Sequence, residues 1–181
     1  MFSKASSQPS QSKGLEVGPF LRNAWPRLSR IPGGKWLFSR LIGLIAPYSG
    51  TIAAQVNELR PGYACVSMSD RRRVRNHLRC VHAIALMNLA EMASGLAVCY
   101  DLPPGGRGII TNLHIHFHKK ARGLLVARTG STCTLPGDDG LSMRIGVTIY
   151  NQKQEAVATA TADWLVSPAA SQAQQLALFG S

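Results

Sequence analysis

The stretch that decides the fold is NHLRCVHAIALMNLAEMASGLAVC, residues 76–99. From Val81 to Cys99 it is rich in Ala, Leu and Met, and Glu91 is its only charged residue. The span predicts one helix of about five turns. A surface helix carries a polar stripe, whereas a helix apolar almost all round is buried on most sides. A lone carboxylate in its middle therefore needs a reason, because burying an ionised group costs on the order of several kcal/mol unless it is paired or hydrated. Either Glu91 lies on a face open to solvent or pairs with a structural Arg, or it is a site carboxylate in a cleft that admits water and substrate. Asn88, one turn earlier, and Gly95, one turn later, share its face. An amide, an acid and a gap in line on an apolar helix fit a site wall better than a packing stripe.

His82 lies nine residues before Glu91, about 13 Å along the axis and half a turn around it. The two side chains cannot converge on one small substrate within one subunit. A two-fold dimer brings the helix start of one chain to the middle of its partner's helix. Any site using both ends is thus expected to be shared between subunits.

Working outward, Phe20–Ser29 and Lys35–Ala46 read as short basic amphipathic helices, separated by the breaker Ile31-Pro32-Gly33-Gly34. Thr51–Leu59 and Tyr63–Ser69 read as strands joined by the turn Arg60-Pro61-Gly62. After the long helix come strand-like runs near 108–118, 123–134, 141–150 and 155–166. Together they predict an α+β fold: a curved antiparallel four-stranded meander wrapped around the long helix, with short helices on the other side. The expected organisation is a disordered tail at 1–18, a helical extension at 19–50, a main domain at 51–168 and a C-terminal tail at 169–181.

Composition narrows the function classes. The chain has 181 residues, 45% of them hydrophobic, enough for one domain with a real core. Residues 1–80 hold 13 Lys/Arg against 3 Asp/Glu, and residues 81–181 hold 7 against 6. The basic half favours an anionic partner: nucleic acid, a membrane surface or a phosphate-bearing small molecule. Cys65, Cys80, Cys99 and Cys133 form no C-x-x-C pair, and read as reduced thiols of a cytoplasmic protein. The start, MFSKASSQPSQSKG, has no apolar core of a secretory signal. No membrane span is expected, since Trp36–Pro47 contains Arg40 and the long helix carries His82, Asn88 and Glu91.

The pattern Asn76-x5-His82-Ala83-x7-Glu91 resembles the signature N-x5-H-G-G-x6-[DE] of hotdog-fold thioesterases of the phenylacetyl-CoA type. The resemblance runs from about Thr51 to Pro168 and includes Ile115 to Gly123, where relatives have an aromatic strand end and a tight turn. NHLRCVHAIALMNLAE, Ala46–Tyr48 and KKARG look like a bacterial branch of that superfamily. The resemblance implies a hotdog fold, a homodimer or tetramer, and hydrolysis of an acyl-CoA or acyl-carrier thioester. No cofactor or metal is implied beyond the coenzyme A of the substrate. Carried over by position, Glu91 matches the base or nucleophile and the Ala83 backbone N–H matches the oxyanion donor. Asn76 matches the amide that orients the thioester, and His82 introduces the oxyanion turn. Ala83-Ile84 stands where relatives have Gly-Gly, and the acid is Glu rather than the commoner Asp. The hydroxyl often present on the next strand falls at Ile110, with Thr111 adjacent. Two other readings of the fold are a non-catalytic acyl-binding protein and an acyl-thioester dehydratase or hydratase.

His114, His116 and His118 alternate on one strand, which suits a metal pair or, more simply, a polar outer face opposite Leu113, Ile115 and Phe117 in the core. Arg71, Arg72, Arg73, Arg75 and Arg79 lack interleaved aromatic residues, which argues against nucleic acid. They are either solvated charge or, with Lys119, Lys120 and Arg122, contacts for coenzyme A phosphates. Gly105-Gly106-x-Gly108 precedes no helix and is a turn.

Overall fold

A computed structural model describes residues 16–137 and 140–167. The expected tails fall outside these residues, apart from 16–18, as do Asp138 and Asp139 of one predicted turn and the side chain of Cys133. The elements are α1 (Val17–Leu28), α2 (Gly34–Ile45), α3 (Pro47–Gly50), β1 (Gln55–Arg60), β2 (Tyr63–Ser69), a 3-10 turn at Arg72–Val74, α4 (Ala83–Asp101), β3 (Arg107–Phe117), β4 (Leu124–Gly137), β5 (Gly140–Tyr150) and β6 (Ala156–Ser167).

The long helix is α4. It starts two residues later than periodicity predicts because Val81 is held extended, its N–H donating to the Ala121 carbonyl at 2.9 Å. His82 is the N-cap: its Nδ1 accepts the Ile84 N–H at 3.1 Å, satisfying one of the donors a helix start leaves open. α4 ends where Leu102 turns extended ahead of Pro103. By length and composition it is apolar enough to cross a membrane. Here it is the core helix, with Leu89, Ala90 and Ala93 fully buried and packed among residues of the sheet. Leu113 and Ile115 of β3 lie against that same core.

All strands join one antiparallel sheet of order β1-β2-β4-β5-β6-β3. The expected meander of four strands is therefore corrected: of β3 to β6, only β4, β5 and β6 follow one another in the sheet. β3 crosses to the far edge and pairs with β6, while β2 takes the place beside β4. Alternation of side chains fixes which face a residue takes, but not which strand lies next to it. Bulges at Val56/Glu58, Ile110/Asn112 and Thr129/Thr132 help the sheet to curl about α4.

The extension packs into the same core through Leu21, Trp25, Phe38 and Ile42. Arg22 donates to the Tyr100 and Leu102 carbonyls at 2.5 and 2.8 Å, tying α1 to the end of α4. α2 meets β1, where Ser39 Oγ accepts the Val56 N–H at 2.8 Å. The strand expected from Thr51 begins only at Gln55. Pro47 opens the short helix α3 at a position suited to proline, and Ala53 has a left-handed φ of 42°, which breaks an extended run. Gly50 rests on Gly43 of α2; a Cβ at Gly50 would lie 2.7 Å from the Gly43 carbonyl oxygen. That close approach packs α3 on α2, and the Ser49 and Tyr48 hydrogen bonds join α3 to α4.

Candidate active site

Glu91 is half-buried in the middle of α4, on the face that α3 covers. Ser49 Oγ donates to its Oε2 at 3.2 Å. One turn earlier, Asn88 Nδ2 donates to the Tyr48 carbonyl at 3.2 Å, and Asn88 Oδ1 is buried with no partner among the described residues. No cation pairs with the carboxylate among the described residues. Burial pushes the Glu91 carboxyl above its ordinary value of 4.5, and the Ser49 hydroxyl offsets part of that rise by stabilising the ionised form. Cys99, two turns further on, has its thiol pushed up to about 11 by burial and then by the Glu91 charge, so it stays protonated and unreactive at neutral pH.

Gly95 shares this face, but the gap it leaves is filled. The Trp164 indole packs there, and a Cβ at Gly95 would lie 3.1 Å from the ring. Trp164 Nε1 donates to Ser94 Oγ at 3.2 Å, fixing the indole over the helix. Gly95 therefore seats an aromatic wall beside the acid.

The start of α4 forms a second centre. Ala83 lines a cavity of about 260 Å³ with Asn76, Phe117, Lys119 and Lys120, and Glu91 is not among its lining residues. With Ile84 N–H taken by His82, the Ala83 N–H is the first backbone donor left over by the helix start, at the positive end of the helix dipole. Asn76 Oδ1 accepts the Leu78 and Cys80 N–H groups at 2.9 and 3.3 Å, which shapes the loop before the helix and leaves Nδ2 as its donor. The His82 ring points away from this cavity, into another lined by Arg73, Arg75, Tyr48 and Asn88.

The basic residues divide. The Arg71 guanidinium donates to the Ile52 carbonyl, and Arg75 pairs with Asp70 at 2.6 Å. Lys119 pairs with Glu155 at 3.4 Å. Arg72, Arg73, Arg79, Lys120 and Arg122 are exposed. Thr111 stands at the β3 bulge, exposed, with Oγ1 donating to the Asp163 carbonyl at 3.1 Å. Phe117, expected in the core, is 44% exposed, because β3 is an edge strand whose end reaches the Ala83 cavity. His114, His116 and His118 lie exposed on that edge, with His118 bonded to Thr159 at 3.0 Å. Among the described residues no group of three His, Cys, Asp or Glu is placed to hold a metal ion.

Within one chain the structure thus gathers Glu91, Asn88 and Gly95 in one place and Asn76, Ala83, Lys119 and Lys120 in another. Thr111 and Arg122 belong to neither group. Ser49 was missed in the sequence. The only signal was Pro-Tyr-Ser-Gly, where a proline and a glycine mark a short turn that a strand reading passes over.

A long helix in the grip of a curled antiparallel sheet is the hotdog fold. Solved structures agree: a thioesterase family protein from Silicibacter pomeroyi is 19% identical, with 71% of this chain and 94% of that one covered at a TM-score of 0.60. The phenylacetic acid degradation protein PaaI from Thermus thermophilus is 18% identical, with 66% and 97% covered at 0.55. At such identities the likeness establishes the fold alone, and it bears out the expected hotdog resemblance. Genomics target APC5556 is nearer in sequence, 34% identical with 83% and 99% covered at 0.70. No curated protein matches the sequence. Residues 34–166 match a family described as a domain of unknown function, DUF4442, and the chain belongs to that family.

Proposed function

We propose that this protein hydrolyses acyl-CoA thioesters, with Glu91 as base or nucleophile and the Ala83 N–H as oxyanion donor. The observation that carries the reading is Glu91 itself: a half-buried carboxylate with a serine hydroxyl as its partner and a raised proton affinity. Such a group is a better base than a solvated glutamate. In the hydrolytic step, water attacks the thioester carbon while its proton passes to Glu91. The carbonyl oxygen gains negative charge against the Ala83 N–H and the dipole of α4, with Asn76 Nδ2 beside it. Collapse breaks the C–S bond, and the thiolate takes back the proton, releasing a carboxylic acid and free thiol. The replacement of Gly-Gly by Ala83-Ile84 is compatible with this role, since the donor is backbone and His82 removes only the Ile84 N–H from use.

Because the two centres lie apart in one chain, the complete site joins Ala83 of one subunit to Glu91 of another in a two-fold homodimer or a tetramer built from it. The uncovered β3 edge, with Ile109 and Phe117 exposed, supplies a surface for that pairing. Arg73, Lys120 and Arg122 are exposed cations available to coenzyme A phosphates, and a cytoplasmic setting is where such substrates occur. No cofactor enters the scheme. The test is release of free thiol across acyl-CoAs of differing chain length. Activity on at least one substrate is expected, falling by about 100-fold or more in Glu91→Gln. No release from any of them, or unchanged turnover by Glu91→Gln, would overturn the assignment.

A further inference from the structure

The helix α2 has a face that the fold does not cover. Leu37, Arg40 and Leu44 are exposed on it together with Trp36, whose ring carries the Arg40 guanidinium at 5.5 Å. Trp36 is 57% and Leu44 76% exposed, and Tyr48 of α3 adds a further aromatic ring at 69%. Arg40 links Trp36 to Leu44, since Arg40 stacks on the Trp36 ring and lines a hollow between α2 and α3 with Gly43, Leu44 and Pro47. A helix apolar on both sides is ordinarily covered on both.

Charge identifies the cover. Residues 17–50 contain Arg22, Arg27, Arg30, Lys35 and Arg40 and no acidic residue. Arg27, Arg30 and Arg40 are exposed. A second copy docked face to face across a two-fold would set Arg40 and a segment with no acidic residue against themselves, with no acid on that face to pair with them. Leucines with Trp and Tyr, with Arg40 among them and no acidic residue in the segment, match instead the interface of an anionic bilayer, where aromatic rings sit at headgroup depth and basic side chains meet lipid phosphates. We propose that the α2–α3 face docks this protein peripherally on anionic membranes. The face also borders the candidate site: a cavity lined by Trp36 and Arg40 at one side reaches Ser49 and Met92 at the other. Docking therefore brings the mouth of that cavity to the lipid surface.

The experiment uses the full chain and vesicles of phosphatidylcholine with or without phosphatidylglycerol, and reads binding, so it is independent of any hydrolysis. Co-sedimentation is expected only with the anionic vesicles and should weaken as ionic strength rises. Trp25 and Trp164 are 7% and 5% exposed, so Trp36 is the fluorophore free to respond. Its emission should shift to the blue on binding and be quenched by brominated acyl chains. Leu37→Ser with Leu44→Ser should lower partitioning by at least about tenfold while leaving the melting temperature of these exposed sites unchanged. Absence of binding to anionic vesicles, or no quenching of Trp36, overturns the proposal. So does a double variant that binds vesicles as before but loses a dimer or tetramer present in the parent, which would assign the face to a second copy.

Discussion

The first turn of α4 and its middle are one helix in two environments. At the start, backbone donors face an open cavity beside Lys120, and water and charge reach them freely. In the middle, a carboxylate lies under the α3 turn with a serine as its hydrogen-bond partner, and burial holds its proton more tightly than solvent would. Developing negative charge is best met by a fixed dipole end, whereas a base is strengthened by removal from water. A single straight helix cannot bend both to one atom. The separation, about 13 Å for nine residues, is the reason the proposed site draws on a second subunit.

The comparison can be sharpened at the covered middle first. Ser49→Ala removes the hydrogen bond that stabilises ionised Glu91. With Glu91 as the proposed base, the acid limb of kcat/KM is expected above the ordinary value for glutamate, and it should move to still higher pH. Hydrogen bonds to charged groups contribute about 1.5 kcal/mol, so kcat/KM on the acid limb should fall about tenfold. A pH–rate profile checks this, and an unmoved limb would detach Ser49 from the acid. At the open end the expected effect is smaller. Lys120→Glu or Arg73→Glu should raise KM for acyl-CoA about fivefold, in keeping with about 1 kcal/mol for an exposed charge, with kcat little changed. Pantetheine thioesters, which lack the distal phosphates, should not register the change. Equal losses on both substrates would make these residues purely structural.

The smallest effect concerns stability. Because burial raises the Glu91 carboxyl, the folded chain binds that proton more tightly than the unfolded chain. Its favourable contribution is complete below the ordinary glutamate range and is lost as pH rises through the folded value. Glu91→Gln should therefore melt higher than the parent at neutral pH, and the advantage should shrink as pH is lowered. A variant that melts lower at neutral pH would mean that the charge is compensated.

Much of this was legible in sequence. The apolar run around Glu91 announced a core helix, and the alternation in β2 placed that strand at Tyr63–Ser69, as found. Strand order was not legible, because period-2 alternation carries no information about neighbours; β3 could be placed beside β6 only by the folded sheet. Phe117 was misassigned for a related reason, since an edge strand leaves the core before its pattern ends. Asn88 and Glu91 were visible as polar residues on an apolar face. Gly95 was read as a gap because its filler, Trp164, is 69 residues away in the chain and approaches only through β6. Ser49 was hidden by distance too: it meets Glu91 across 42 residues of chain, through the short helix α3 that packs on α2.

The shared site is tested most directly by subunit mixing. Ala83→Pro removes the proposed oxyanion donor at the first helical position, where proline is well tolerated and where the extended His82 before it suits a following proline. Ala83→Pro and Glu91→Gln homo-oligomers should each be nearly inactive. In a mixed dimer one site combines both lesions and the other is intact, so random pairing of equal amounts should restore about a quarter of the parent activity. Recovery to that level on co-expression is the predicted result. Two inactive parents whose mixture stays inactive, with subunit exchange verified by differential tagging, would contradict a site built from Ala83 of one chain and Glu91 of the other.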